Sequence, residues 1–303
     1  MQKQRILITG ATGFVGRYLF TQLTEQGREP IGISKNGGTV AGRPVAAADI
    51  TDEKALNAFL DQNPVDYIFH LACFIPRIQN KDDFHNCWLV NAFGTRNLMR
   101  AAVAHGVKRF VYASSQTVCN GAHRTNVKED DIEAPNSEYG VTKLAGEHLC
   151  KIHAARSMSL IILRYSSVYG FGQLPSVVLS IFVEKIMNHQ PVTVWGDGGS
   201  TYDFVYVKDV AEATILTGLS DQTGIFNIGS GRETSVKTLA DALKKLCPRA
   251  VITYDPSRPD AGRRFCFNIE KLQTTFGFTP RYRLADGLRE YLNMFHESIC
   301  LKK

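Results

Sequence analysis

Short apolar runs punctuate the first half of the chain at Ile6 to Ile8, Pro30 to Ile33, Tyr67 to Leu71, Phe110 to Tyr112 and Leu160 to Leu163. They are nearly uninterrupted and rich in β-branched and aromatic residues, the pattern of strands buried on both faces. Helical stretches separate them, over Phe14 to Glu25, Glu53 to Gln62, Asp82 to His105 and Tyr139 to Ala155. This alternation predicts an α/β fold built on a doubly wound parallel sheet. After about Gly170 the rhythm changes. Pro175 to Asn188 reads as a helix, and Val192 to Ala213 as short strands, a glycine-rich turn and a further helix. Helices follow at Val236 to Cys247, with Ser235 as N-cap, at Glu270 to Phe276 and at Leu284 to Phe295. The expected layout is a sheet domain over residues 1–170, with a returning segment near 204–230, and a smaller lobe over 171–303.

The first strand-to-helix turn reads ITGATGFVG, placing Gly10, Gly13 and Gly16 at GxxGxxG spacing. Gly10 permits a tight turn, Gly13 lets backbone approach a pyrophosphate, and Gly16 lets helix and strand pack closely. Thr12, Phe14 and Val15 complete the turn and the helix N-terminus, which offers free N–H groups to phosphate. A dinucleotide is therefore expected here; the alternative is a turn that is merely a turn. At the end of the second strand an acidic residue would bind a ribose 2′-hydroxyl. Ser34 and Lys35 stand there instead. No carboxylate repels a 2′-phosphate and Lys35 would pair with one, which favours NADP slightly over NAD; a solvated Lys35 leaves either. Asp49, followed by Ile50, is placed to reach the adenine amino group, and Asp52 to cap the helix beginning at Glu53.

Composition narrows the class. The 303 residues carry a net charge of +6 with the basic residues scattered, which means a mildly basic surface or a site for an anionic ligand, and no nucleic-acid partner. Seven cysteines, an odd number without CxxC spacing, fit reduced thiols rather than disulfides or a metal site. The N-terminus enters a strand pattern directly and no apolar run is long enough for a bilayer, so a cytoplasmic protein with no membrane partner is expected.

The candidate chemistry lies in SSQTVCNG, Ser114 to Gly121, and SEYGVTK, Ser137 to Lys143. Tyr139 and Lys143 are i and i+4 on one helix face. A phenol with pKa near 10 is a poor base at neutral pH. A neighbouring ammonium and a cationic nicotinamide would lower that value. Ser115 would hold and polarise a substrate oxygen. Together they suit alcohol–ketone interconversion with hydride transfer. Elsewhere the ordinary readings are preferred: His70, His148 and His153 as structural or surface histidines, Phe84, Trp88 and Trp195 as packing residues, and EDDIE at Glu129 to Glu133 as a solvated loop.

The chain resembles the NAD-dependent epimerase/dehydratase family of extended short-chain dehydrogenases/reductases. The resemblance rests on TGATGFVG, DITD, HLAC at His70 to Cys73, VNAFGTRNL at Val90 to Leu98, ASSQTV, YGVTK, LRYSSVYG at Leu163 to Gly170, YDFVYVKDVAEA, FNIGSG and RPDAGRR at Arg258 to Arg264. It implies a Rossmann-type doubly wound sheet with a smaller C-terminal α/β substrate lobe, and a catalytic set of Ser115, Tyr139 and Lys143. Leu71, Ala72, Cys73, Asn91 and Ser114 would line or support the cofactor site, with Tyr139 and Lys143 also touching the cofactor. Ser115, Gln116, Ser167, Tyr202, Arg258 and Arg263 would face a nucleotide-diphosphate sugar, the two arginines on its phosphates. A homodimer through the helices at Asp82 to His105 and Tyr139 to Ala155, forming a four-helix bundle, is also implied.

Departures from the family pattern bear on function. VYG after the serine strand is replaced by Val118-Cys119-Asn120, and RDF by Tyr202-Asp203-Phe204; Ser167 stands for an asparagine. Gln116 and Thr117 occupy the positions of the Asp-Glu pair that dehydratases use for elimination. The first expectation is therefore an epimerase acting by transient oxidation, most often at C4. The second is an NADPH-dependent 4-ketoreductase, and the third a non-catalytic dinucleotide sensor.

Overall fold

A computed structural model describes residues 4–76, 82–119, 124–154, 157–175 and 177–300. The chain forms two compact units. The first comprises Met1–Ala122, Glu129–Tyr165 and Ala211–Phe226; the second comprises His123–Lys128, Ser166–Val210 and Asn227–Lys303.

The first unit is built on strands β1 (Ile6–Thr9), β2 (Ile31–Ser34), β3 (Gly38–Val40), β4 (Arg43–Ala47), β5 (Tyr67–His70), β6 (Arg109–Ser115), β7 (Ser159–Tyr165) and the first three residues of β8 (Gly224–Ile228). They lie in one eight-stranded sheet in the order β8-β7-β6-β5-β1-β2-β4-β3. β1 pairs in parallel with β2 and β5, β5 with β6, and β6 with β7, the last in register from Arg109↔Ser159 to Ser115↔Tyr165. β3 runs antiparallel to β4, as a hairpin. This hairpin has no counterpart among the predicted strands, because GTVAGRPVAAA is short and interrupted by Gly and Pro.

The unit's helices are α1 (Phe14–Glu25), α2 (Glu53–Gln62), α3 (Asp82–Trp88), α4 (Thr95–Ala104) and α5 (Glu138–Ala154). Asp52 caps α2, its carboxylate accepting from the N–H groups of Lys54 and Ala55, both at 3.0 Å. The helix expected as one piece from Asp82 to His105 is interrupted by a π-helical turn over Leu89–Gly94. Leu7, Ile33, Ile68, Phe110 and Ile162 from the sheet pack with Leu56, Leu60, Leu98 and Met99 from the helices in one core. Fully burying each such side chain contributes roughly 1.5–3 kcal/mol.

The second unit is a patchwork of two-stranded pairings. Val192–Trp195 runs parallel to Ile252–Asp255, Phe204–Tyr206 to Ser167–Tyr169, and Phe265–Phe267 to Arg124–Val127, while Thr201–Tyr202 runs antiparallel to Thr234–Ser235. The helix over Val236–Leu246 starts at Ser235, whose hydroxyl accepts from Thr238 N–H at 3.0 Å. Asp203 is fully buried and bound by Ser230 N–H at 2.7 Å, the Ser230 hydroxyl at 2.6 Å and Phe267 N–H at 3.3 Å. It ties its own segment to the loop at Ser230 and to the strand at Phe265–Phe267. Among the described residues no helix is long and apolar enough to cross a membrane.

Candidate active site

The glycine turn follows β1. Gly10 has φ +69°, and a Cβ there would lie 2.7 Å from Ala72 N, so only glycine lets the strand end pass beside Ala72. A Cβ on Gly16 would strike the Gly10 carbonyl. Gly13 begins α1 in extended conformation, with no side-chain cap and no acidic residue in the first turn. Beyond the Gly10 carbonyl, a Cβ on Gly13 would meet almost nothing. An uncapped helix N-terminus behind a bare glycine is what a dinucleotide pyrophosphate requires, so these residues fit such a cofactor. Phe14 and Val15 in the first turn are half-buried, the Phe14 ring edge-on to Tyr18.

At the end of β2 the Ser34 hydroxyl accepts from Thr12 N–H at 3.1 Å and from the Thr12 hydroxyl at 2.9 Å. Lys35 Nζ lies 3.3 Å from the Asp49 carboxylate, which also accepts from the Thr51 N–H and hydroxyl. The two residues expected at opposite parts of the adenosine are thus paired with each other. The lean towards NADP drawn from Ser34 and Lys35 finds no support, because the cation meant for a 2′-phosphate already has a carboxylate partner. Ile50 is buried in the core, against the π-helical turn at Gly94.

A relay of hydrogen bonds crosses from β1 to α4. Ala72 N–H donates to the Thr9 hydroxyl at 3.2 Å, and Thr9 Oγ1 lies 2.7 Å from His70 Nδ1. His70 Nε2 lies 2.9 Å from the Thr95 hydroxyl, which donates to the Asn91 carbonyl at 2.7 Å. Because Thr95 spends its proton on Asn91, it accepts from His70, which is therefore the neutral Nε2–H tautomer. Burial, aided by the Lys143 charge, pushes the imidazole down to about 3. His70 is a structural histidine, as expected.

Asn91 sits in the π-helical turn. Its carboxamide accepts from Phe74 N–H at 2.7 Å and donates to the Phe74 carbonyl at 2.9 Å and the Thr142 hydroxyl at 3.2 Å. It thereby holds the segment after Leu71, Ala72 and Cys73 against α5. Ser115 ends β6, its hydroxyl accepting from Thr117 N–H at 3.2 Å and Thr117 Oγ1 at 3.0 Å and facing the Tyr139 phenol. Lys143 is 3% exposed, with Nζ 4.3 Å from the centre of the Tyr112 ring. Gly140 and Gly146 let α5 press onto this strand end; a Cβ on Gly146 would strike the Tyr112 hydroxyl. The spacing on the helix and the serine on the strand thus converge.

The electrostatics differ from the sequence expectation. Burial first, then the thiols of Cys73 and Cys87, raise the Tyr139 pKa well above 10, and the neighbouring Ser115 hydroxyl opposes them. Burial likewise lowers Lys143. Tyr139 in this state is a neutral phenol rather than a poised phenolate. Cys73, expected only to line the cofactor site, also lies against the Tyr139 phenol; nothing in HLAC signals that neighbour.

A second feature also escaped the sequence. Glu147, one turn beyond Lys143, accepts from the Ser114 hydroxyl at 2.5 Å and is bound by Arg164 Nε and Nη2 at 2.9 and 2.8 Å. Arg164 also reaches Glu133 at 2.9 Å and the Glu129 carbonyl at 3.2 Å. The EDDIE segment is therefore anchored, not merely solvated. Gln116 is buried directly after Ser115. Asn120 and Gly121 lie outside the described residues.

The remaining candidates belong to the second unit. Ser167 N–H donates to the Asp203 carbonyl at 3.0 Å. The Arg263 guanidinium lies 4.8 Å from the centre of the Tyr202 ring, which stacks on Phe204. The Arg258 guanidinium lies 5.6 Å from the Trp195 ring and 3.5 Å from Asp255.

Comparison with known proteins agrees with this geometry. The model of the NAD dependent epimerase/dehydratase family matches residues 6–229. A putative UDP-glucose 4-epimerase of Methanocaldococcus jannaschii is 32% identical over 95% of this chain and 97% of its own. A dTDP-glucose 4,6-dehydratase of Streptomyces niveus is 29% identical over 97% and 93%. Among solved structures, MoeE5 in complex with UDP-glucose and NAD is 32% identical, with a TM-score of 0.86 over 97% of this chain and 99% of that one. With the glycine turn, the strand-end serine and the YxxxK helix in place, the chain belongs to the NAD dependent epimerase/dehydratase family.

Proposed function

We propose that the protein is an NAD-dependent nucleotide-sugar epimerase that oxidises a sugar hydroxyl, at C4, and returns the hydride to the opposite face. The observation that carries this reading is the approach of the Ser115 hydroxyl to the Tyr139 phenol, on the helix that also bears Lys143 one turn on. Gln116 and Thr117 supply no acid–base pair for elimination, which favours epimerisation over dehydration. Gly10, Gly13, Gly16 and the N-terminus of α1 would hold the pyrophosphate. Bound there, nicotinamide supplies reversible hydride transfer. Ser115 would orient the substrate oxygen by hydrogen bonding, and Tyr139 Oη would exchange the hydroxyl proton. Lys143 would stabilise the phenolate as the proton moves. Arg258 and Arg263 suit the diphosphate of the substrate. The Lys35–Asp49 pair, and the NAD carried by a relative, support NAD over NADP.

The test is to purify the protein, denature it, and identify any released dinucleotide by mass and absorbance. Retained NAD, with interconversion of UDP-glucose and UDP-galactose and no net reduction, is expected. An empty site that consumes NADPH with a 4-keto sugar would replace this reading with a reductase.

The proposal includes a homodimer. Val141 and Ile152 on α5, with Leu89, Phe93 and Val103 along the neighbouring helical stretch, are all between 37% and 69% exposed. Exposed apolar side chains along paired helices favour burial against a second copy. Sedimentation is expected to give twice the chain mass, reduced to the monomer by Phe93→Glu; a monomeric wild-type protein would refute the dimer.

A further inference from the structure

A cleft of about 350 Å³ opens within the second unit. Arg232, Arg283, Asn126 and Gln273 line it above a floor that includes Phe204 and Phe267. None of Ser167, Tyr202, Arg258 or Arg263 takes part. Its volume is that of a small-ligand site.

Several arginines of this unit are paired with carboxylates. Arg264 forks onto Glu233 at 2.7 and 2.8 Å, Arg289 meets Asp286 at 3.1 Å, and Arg258 meets Asp255 at 3.5 Å. Among the described residues the guanidiniums of Arg232 and Arg283 have no hydrogen-bond or ion-pair partner. Two like charges at one cleft repel, and an anion between them removes that cost. Glu270 is the one carboxylate in the lining, leaving the cleft net positive. The surroundings act in the same direction. The second unit holds eighteen Lys and Arg against twelve Asp and Glu, whereas the first holds seventeen of each.

A donor is also held in place. Asn126 adopts left-handed backbone, φ 62°, a conformation that asparagine tolerates better than most residues. Its carboxamide oxygen accepts from Asn268 Nδ2 at 3.0 Å, and Asn268 Oδ1 accepts from Glu270 N–H at 2.8 Å. That pairing leaves the Asn126 NH2 group free to donate. Two guanidiniums and an amide donor match the several acceptor oxygens of a phosphate better than the two of a carboxylate.

We propose that this cleft binds a small phosphate-bearing anion through Arg232 and Arg283. The test is calorimetric titration of the full-length protein with inorganic phosphate at constant ionic strength, with acetate as the carboxylate control. Saturable phosphate binding is expected, with acetate at least tenfold weaker. The double variant Arg232→Gln/Arg283→Gln should weaken phosphate at least tenfold while retaining its circular dichroism and its dinucleotide content. Both side chains are exposed and unpartnered, so folding should survive the change. Arg263→Gln should leave the affinity within about twofold. Absence of saturation, equal binding of acetate, equal affinity in the double variant, or loss in Arg263→Gln instead would each overturn the site. Dinucleotide release is measured separately, so failure here is distinguishable from failure of the epimerase reading.

Discussion

Tyr139→Phe should lower turnover by about 10²–10⁴-fold while the protein keeps most of its dinucleotide. At about 1.4 kcal/mol per tenfold, that corresponds to roughly 3–5 kcal/mol of lost transition-state stabilisation. The substitution removes one oxygen, the one facing Ser115. The glycine turn and the uncapped start of α1 stay intact. The pH dependence has a definite sign. Burial raises the phenol pKa, so the proton-accepting form becomes more populated as pH increases. Between pH 6 and 9, kcat/KM of the wild type should therefore rise, and the residual rate of Tyr139→Phe should lose that dependence. Normal turnover in the variant would mean that the proton travels by another route.

The second large effect is on stability. Arg164→Met should destabilise the protein by about 3–5 kcal/mol, because it leaves a buried carboxylate without its counter-charge. Both side chains of the Arg164–Glu147 pair are fully inaccessible to solvent. Burial works to lower the guanidinium pKa, yet the bonds to Glu147 carry it well above the ordinary value. At roughly 2–4 °C per kcal/mol for a chain of this size or somewhat smaller, the midpoint of thermal unfolding should fall by about 6–20 °C. The double variant Arg164→Met/Glu147→Leu should lose less than the single one, since no buried charge then remains unpaired. An unchanged midpoint in Arg164→Met, measured by calorimetry, would show that the pair is energetically idle. The consequence extends to the site. Glu147 bonds Ser114 on β6, next to Ser115, from the same helix that carries Tyr139 and Lys143. This pair therefore pins α5 to the strand end that carries the proposed catalytic residues.

Local chemistry made much of this legible in advance. The nearly uninterrupted apolar runs within β1, β5, β6 and β7 leave no polar face, which a sheet covered on both sides accommodates. The glycine spacing, the capping Asp52 and the i, i+4 relation of Tyr139 and Lys143 are properties of a few consecutive residues, and each is visible without tertiary information. Other features were not local. The π-helical turn at Asn91 lies within an unbroken helical pattern, because its one extra residue per turn leaves little trace in apolar spacing. Glu147, Arg164, Ser114 and Glu133 come from four separate segments, and each alone reads as an ordinary polar residue.

What the sequence by itself determined is the sheet-and-helix alternation, the phosphate-ready turn and the identity of the proposed proton-transfer group. Those depend on periodicity and on residue type at fixed short spacing. What only the tertiary structure decided is the state of that group and its surroundings. Desolvation raises the pKa of Tyr139 rather than lowering it, and Lys35, the cation expected to favour NADP, instead meets Asp49. It also decided that residues 123–128 join the second unit and that two arginines far apart in sequence share one cleft. The physical reason is common to all four. Desolvation and Coulomb energy depend on distances between segments remote in the chain, and no local pattern encodes those distances.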